Sequence, residues 1–182
     1  MMVSQMEESK IETSDMDLML QFCQGDDYAF TQIMERNLPG VIHNIERFIN
    51  DSNEAEDLAQ EVFLRIYNSR GRYVPSAQFK TWLYHIVTNL CLNYVRDRKK
   101  RNMKSLNFQD SSENAIQLKD IKQETPSGVL LRQETCDKVR EAIQSLPPNQ
   151  RMAIILAKYE QLSYQDIAKV MDTTVQIGRA HV

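Results

Sequence analysis

Glycine and proline are scarce: five of each among 182 residues, and they cluster instead of recurring. An all-β chain needs such residues at a turn every 8–12 positions or so, so the scarcity argues for long helices. No apolar run approaches the roughly 18 to 20 residues of a membrane span. Met1 to Lys10 is polar and of mixed charge, without the apolar stretch of a secretion signal, so a soluble cytoplasmic protein is expected. Cysteine is also sparse. Cys23, Cys91 and Cys136 lie far apart, and His43 and His85 are isolated, so neither a disulfide framework nor a metal site is expected. Reduced, partly buried thiols are the expectation. There is no Gly-rich phosphate loop and no nucleophile–base pair, so an enzyme, a cofactor and a small-molecule substrate are not expected.

The net charge of −3 is uninformative, but its distribution is not. Glu7, Glu8, Glu12, Asp15, Asp17, Asp26 and Asp27 crowd the N-terminal part, against Lys10 alone. Arg96, Arg98, Lys99, Lys100, Arg101 and Lys104 form a basic cluster interrupted only by Asp97. Such a cluster either meets a polyanion or simply completes a helix C-terminus, where cations are favoured.

Residues 1–15 are polar and aperiodic, and a disordered start is expected. From Met16 a three- and four-residue apolar rhythm begins and runs through Phe30, Ile33, Met34, Val41, Ile45 and Phe48. Pro39-Gly40 should kink or break it into two helices. A turn at 50–53 follows, with Ser52 or Asn53 as N-cap of a helix to about Ser69. After a loop around Gly71 and Pro75, a third long helix starts near Ala77 and fades in the basic cluster. Residues 103–128 lose periodicity and read as a flexible polar linker. Three shorter helices are expected beyond it, from about Val129, Asn149 and Ser163. The fold class expected is all-α, two small helical domains at 16–102 and 129–182.

At about 100° per residue, Ala55, Leu58, Ala59, Val62 and Ile66 share one side of the second long helix. Asp57, Gln60, Glu61 and Leu64 fall nearly opposite, a face that is either merely solvated or a dock for a basic helical partner. On the third helix Leu83, Ile86, Val87, Leu90 and Tyr94 make the buried stripe. Trp82, His85, Asn89, Asn93 and Arg96 share a wetter face flanked by Tyr73 and Phe79. Aromatic rings beside cations suit single-stranded nucleic acid, and amides can read a base edge. Trp82 could equally cap the core. Further on, Ser163 and Asp166 form a variant capping box before Ile167, Ala168 and Met171. With the turn at Asp172-Thr173-Thr174 this is the start of a helix-turn-helix.

These segments together resemble a known family. Residues 53–67 (NEAEDLAQEVFLRIY) resemble region 2.2 of extracytoplasmic-function sigma factors, and residues 79–89 (FKTWLYHIVTN) resemble their regions 2.3 and 2.4. Residues 146–151 (LPPNQR) and 162–168 (LSYQDIA) resemble region 4. The resemblance implies a sigma factor that brings RNA polymerase core to promoter DNA. It implies docking of Asp57, Gln60, Glu61 and Leu64 on the β′ clamp. It places the opened −10 strand on Tyr73, Gln78, Phe79, Lys80, Trp82, His85, Ile86, Asn89, Asn93, Arg96, Arg98 and Lys99. Region 4 would meet the β flap and read the −35 element through Thr173, Thr174, Gln176 and Arg179, and an anti-sigma factor is an expected partner. Residues 177–182 (IGRAHV) depart from the family, as a truncated or altered C-terminus would. A recognition helix lacking roughly ten basic-rich residues should be impaired at −35 sites. The rival expectation is a helix-turn-helix regulator acting without polymerase core, which would leave the Asp57 face unused.

Overall fold

The computed structural model describes residues 13–75, 77–106 and 127–173; it is helical, with no strand among the described residues. Helices α1 (Asp15–Gln24), α2 (Asp27–Ile49), α3 (Ser52–Asn68) and α4 (Phe79–Leu106) form a first unit. Helices α5 (Ser127–Ser145), α6 (Pro148–Lys158) and α7 (Tyr164–Val170) form a second.

Local chemistry sets the helix ends. Ser14 caps α1 by accepting from the Asp17 amide, and Gly25 ends it at φ 117°, a left-handed conformation that suits glycine. Asp26 then caps α2 through the Tyr28 and Ala29 amides. The expected break at Pro39-Gly40 does not occur: α2 runs unbroken from Asp27 to Ile49. Both residues sit on the exposed side, and buried Ile33, Val41, Ile45 and Phe48 hold the two halves in line. The lost backbone bond thus falls where water can replace it. The cap of α3 is also one residue earlier than expected. Asp51, not Ser52 or Asn53, accepts from the Glu54 amide at 3.2 Å. Helix α4 continues through the whole basic cluster to Leu106, and α5 begins at Ser127, so the helices extend into both ends of the segment expected as linker.

The first unit is a bundle around Leu18, Phe22, Ile33, Phe48, Ile66 and Leu83, all fully buried. An aromatic cluster of Phe22, Phe30 and Tyr67, with centroids 5.0–5.4 Å apart, ties α1, α2 and α3 together. The second unit does not stand free. Met152, Ile155 and Leu156 of α6 and Val170 of α7 are fully buried in the same core, where α6 meets α2 and α7 meets α4. Two helices this short cannot bury a core of their own, since units below about 40 residues rarely do. By contrast, α5 is exposed from Thr135 to Ala142 and turns inward only at Ile143 and Gln144.

The thiols vary more than expected: Cys23 is half-buried, Cys91 buried and Cys136 exposed, all free. Burial pushes the Cys91 thiol up to about 12. Among the described residues no helix is long and apolar enough to cross a membrane.

Candidate nucleic-acid and polymerase interface

On α3 the two faces separate as the periodicity requires. Ala55, Ala59, Val62, Phe63 and Ile66 are buried, whereas Asp57, Gln60 and Leu64 are exposed and Glu61 is half-buried. Leu64 keeps 54% of its surface in solvent. Glu61 pairs with Arg65 at 2.8 Å, an exposed i,i+4 contact of small energetic weight. Tyr67, three residues past Leu64 and also exposed, extends the same face. Sequence reasoning passed over it, although its spacing from Leu64 and Gln60 was enough to find it.

Along α4, Phe79 is buried and packs on Trp82 at 5.7 Å, while Tyr73 meets Trp82 edge-on at 4.8 Å. Trp82 is half-buried, so it both seals the core edge and keeps part of its ring outside. Phe79 supports that ring from beneath and offers no free face of its own. The Tyr73 hydroxyl is buried with no hydrogen-bond partner, and burial pushes its pKa up. Gln78, Lys80, Asn93, Arg96, Arg98 and Lys99 are exposed, and Ile86 is half-buried. Arg96 lies 3.8 Å from Asp97, both well exposed, so the basic stretch keeps nearly all its charge available.

The expected wet face of α4 is covered at His85 and Asn89. His85 Nδ1 lies 3.1 Å from the Val170 carbonyl oxygen, and its Nε2 lies 3.0 Å from the Asn89 side-chain nitrogen. A carbonyl can only accept, so Nδ1 carries the proton and Nε2 accepts from the Asn89 amide. The physical reason for the covering is the docking of α7 against α4.

Polar contacts frame that docking. Lys80 Nζ donates to the Glu160 carbonyl at 2.7 Å and sits 3.5 Å from its carboxylate. Asn44 Nδ2 donates to Glu160 Oε1 at 3.3 Å. The Arg47 guanidinium lies over the Tyr159 ring at 4.2 Å. Arg151 donates to the Phe48 carbonyl at 2.8 Å, to Gln144 Oε1 at 2.7 Å and to the Leu146 carbonyl at 3.1 Å. Gln144 itself donates to the Arg47 carbonyl at 2.7 Å. Glu160 escaped sequence reasoning, with no local signal to mark it; Arg151 lies within the LPPNQR segment, but nothing in that segment gives its partners.

In α7, Ser163 accepts from the Asp166 amide at 3.1 Å, the cap expected of it. Its hydroxyl also holds the Asp166 carboxyl below the usual carboxylate range. The Thr173 amide donates to the Ala168 carbonyl at 2.9 Å, closing the turn. Thr174, Gln176 and Arg179 lie outside the described residues.

Two family models match: "Sigma-70 region 2" over residues 33–101 and "Sigma-70, region 4" over residues 136–176. The RNA polymerase sigma-H factor of Pseudomonas aeruginosa is 34% identical over 174 residues, covering 94% of this chain and 89% of that protein. The ECF RNA polymerase sigma-E factor of Haemophilus influenzae is 30% identical, covering 94% and 90%. A solved structure of the sigma factor RpoE in complex with the anti-sigma factor NepR, from Bartonella quintana, shares the fold. Its TM-score is 0.61 at 22% identity, covering 81% of this chain and 86% of that one.

Proposed function

Since this chain belongs to the extracytoplasmic-function group of sigma-70 sigma factors and directs RNA polymerase to promoters, we propose that its exposed faces divide that work. The α3 face of Asp57, Gln60, Glu61 and Leu64 docks on the β′ clamp of polymerase core. The α4 face takes the opened −10 strand: Trp82 as a stacking platform, Lys80, Arg96, Arg98 and Lys99 as phosphate holders, Asn89 as the base reader. The second unit serves as region 4, toward the β flap and the −35 element. An anti-sigma factor is a partner, as one is for the Bartonella quintana protein, and the cytoplasm is the place of action.

The observation that carries the polymerase assignment is the exposure of Asp57, Gln60 and Leu64 directly opposite a fully buried stripe on one helix. An acid, an amide and the exposed Leu64 thus share one solvent-facing side of α3, with the exposed Tyr67 beside them. Changing Asp57 and Gln60 together to alanine should weaken core binding about tenfold or more, a loss of ~1.4 kcal/mol or above. Unfolding stability should move by no more than about 0.5 kcal/mol. Titration of labelled chain with purified core decides it, and parental affinity in the double variant would put the dock elsewhere.

The −10 assignment makes a separate prediction. In complex with core, Asn89→Ala should relax preference at one −10 base by roughly 1–3 kcal/mol, leaving other positions unchanged. Arg98→Ala or Lys99→Ala should instead weaken all sequences alike and flatten the salt dependence. Promoter variants tested one base at a time separate these, and uniform losses for Asn89→Ala would refute a base-reading role.

A further inference from the structure

Helix α1 ends at Gln24 and α2 begins at Asp27, and the corner between them holds the side chain of Arg70, just past α3. Arg70 Nη1 donates to the Asp27 carboxylate at 3.0 Å. The guanidinium also lies over the fully buried Phe22 ring, 4.8 Å from its centroid. A Cβ at Gly25 would touch Arg70 Nη2 at 3.4 Å, so the left-handed glycine leaves the guanidinium its seat. An acid, a ring and a bare backbone thus surround one side chain. Beyond Arg70 the chain turns tightly, with the amides of Arg72 and Tyr73 both donating to the Ser69 carbonyl, at 2.8 and 3.0 Å. This turn lays Tyr73 against the same corner; burial, then the Cys23 thiol near the end of α1, pushes the Tyr73 pKa up. Tyr73 in turn meets Trp82 edge-on at 4.8 Å. The corner precedes the region 2 match, which begins at residue 33.

We propose that Arg70 is a positioning residue for the opened −10 strand: seated on the α1–α2 corner, it fixes the turn that holds Tyr73 against Trp82. This rests on the reading of Trp82 as the stacking platform. A half-buried ring held in one orientation binds a base at lower ordering cost than a ring free to tilt. Phe79 supports Trp82 from its own helix, but Tyr73 reaches it from a loop. A loop that carries a binding residue needs a rigid support, and two helices joined at a capped corner supply one. The Asp27 carboxylate is 71% exposed, so the ion pair by itself is weak. The cation–ring contact with Phe22 is better shielded and gives the guanidinium a fixed plane. Lysine at this position would keep the charge and lose that flat stack.

Trp82 is the chain's one tryptophan, so its fluorescence reads the platform directly. The full-length chain alone is followed by emission maximum and acrylamide quenching. The polymerase-bound chain is followed by opening of a promoter that carries 2-aminopurine in its −10 element. Arg70→Ala should shift Trp82 emission to the red and steepen its quenching. With core saturating, it should slow promoter opening about tenfold, as loss of a distant support can, and leave core affinity unchanged. Arg70→Lys should recover part of both losses. Asp27→Asn, at a largely exposed position, should move both readouts the same way by less. Parental Trp82 fluorescence in both Arg70→Ala and Asp27→Asn would overturn the proposal. So would altered fluorescence with parental opening, or a loss of opening that merely tracks lost core affinity or a lower melting temperature. Failure of the platform reading looks different: Trp82→Ala itself would then open the promoter at the parental rate.

Discussion

Phe48→Ala should destabilise the protein by about 3–5 kcal/mol, the range for emptying a large buried aromatic site. Phe48 is fully buried near the end of α2, where the first unit meets α6. Its ring lies 5.6 Å from the Arg151 guanidinium, and its carbonyl accepts from Arg151 at 2.8 Å. The substitution therefore opens a cavity and removes the surface on which Arg151 rests. With total stabilities of about 5–15 kcal/mol, a loss of this size leaves a large fraction of many domains unfolded on warming. Urea unfolding followed by circular dichroism gives the number. A loss below about 1 kcal/mol would mean that the ring contributes little to a packed core.

Arg151→Ala should cost about 2–4 kcal/mol, through hydrogen bonds more than packing. The guanidinium joins the Phe48 carbonyl to Gln144 Oε1 and to the carbonyls of Gln144 and Leu146. It thus clamps the end of α5 and the start of α6 to the end of α2 in one planar group. Truncation leaves those carbonyls to find water at a partly buried joint, which is why the loss stays below that of a sealed site. Lysine should recover little, since a point charge on a flexible stem cannot span acceptors set around a flat fork. The distinguishing measurement is hydrogen exchange. Arg151→Ala should speed exchange across α6 and the end of α5. Equal exchange in parent and Arg151→Ala would show that the clamp is dispensable.

The helices and their faces were legible in the residue order because a helix is built from local bonds. The stripe of Ala55, Ala59, Val62 and Ile66, the Ser163 cap and the Asp57–Leu64 face all follow from spacings of three or four residues. The motifs at 53–67, 79–89 and 162–168 carried the sigma-factor assignment for the same reason: each is a contiguous segment. Where local rules competed, packing decided. Asp51 displaced Ser52 as the cap, and buried residues either side of Pro39 carried α2 through a residue that favours a break. The placement of the second unit was decided only in three dimensions. Lys80 and Glu160 are 80 residues apart, Asn44 and Glu160 are 116 apart, and no periodicity links them. Glu160 reads as an ordinary acid in a turn, and His85 as a free ring on a wet face, until α7 lies against α4. Burial of Met152, Ile155, Leu156 and Val170 drives that contact, and apolar burial has no direction in sequence: it rewards whichever surface the folded chain brings near.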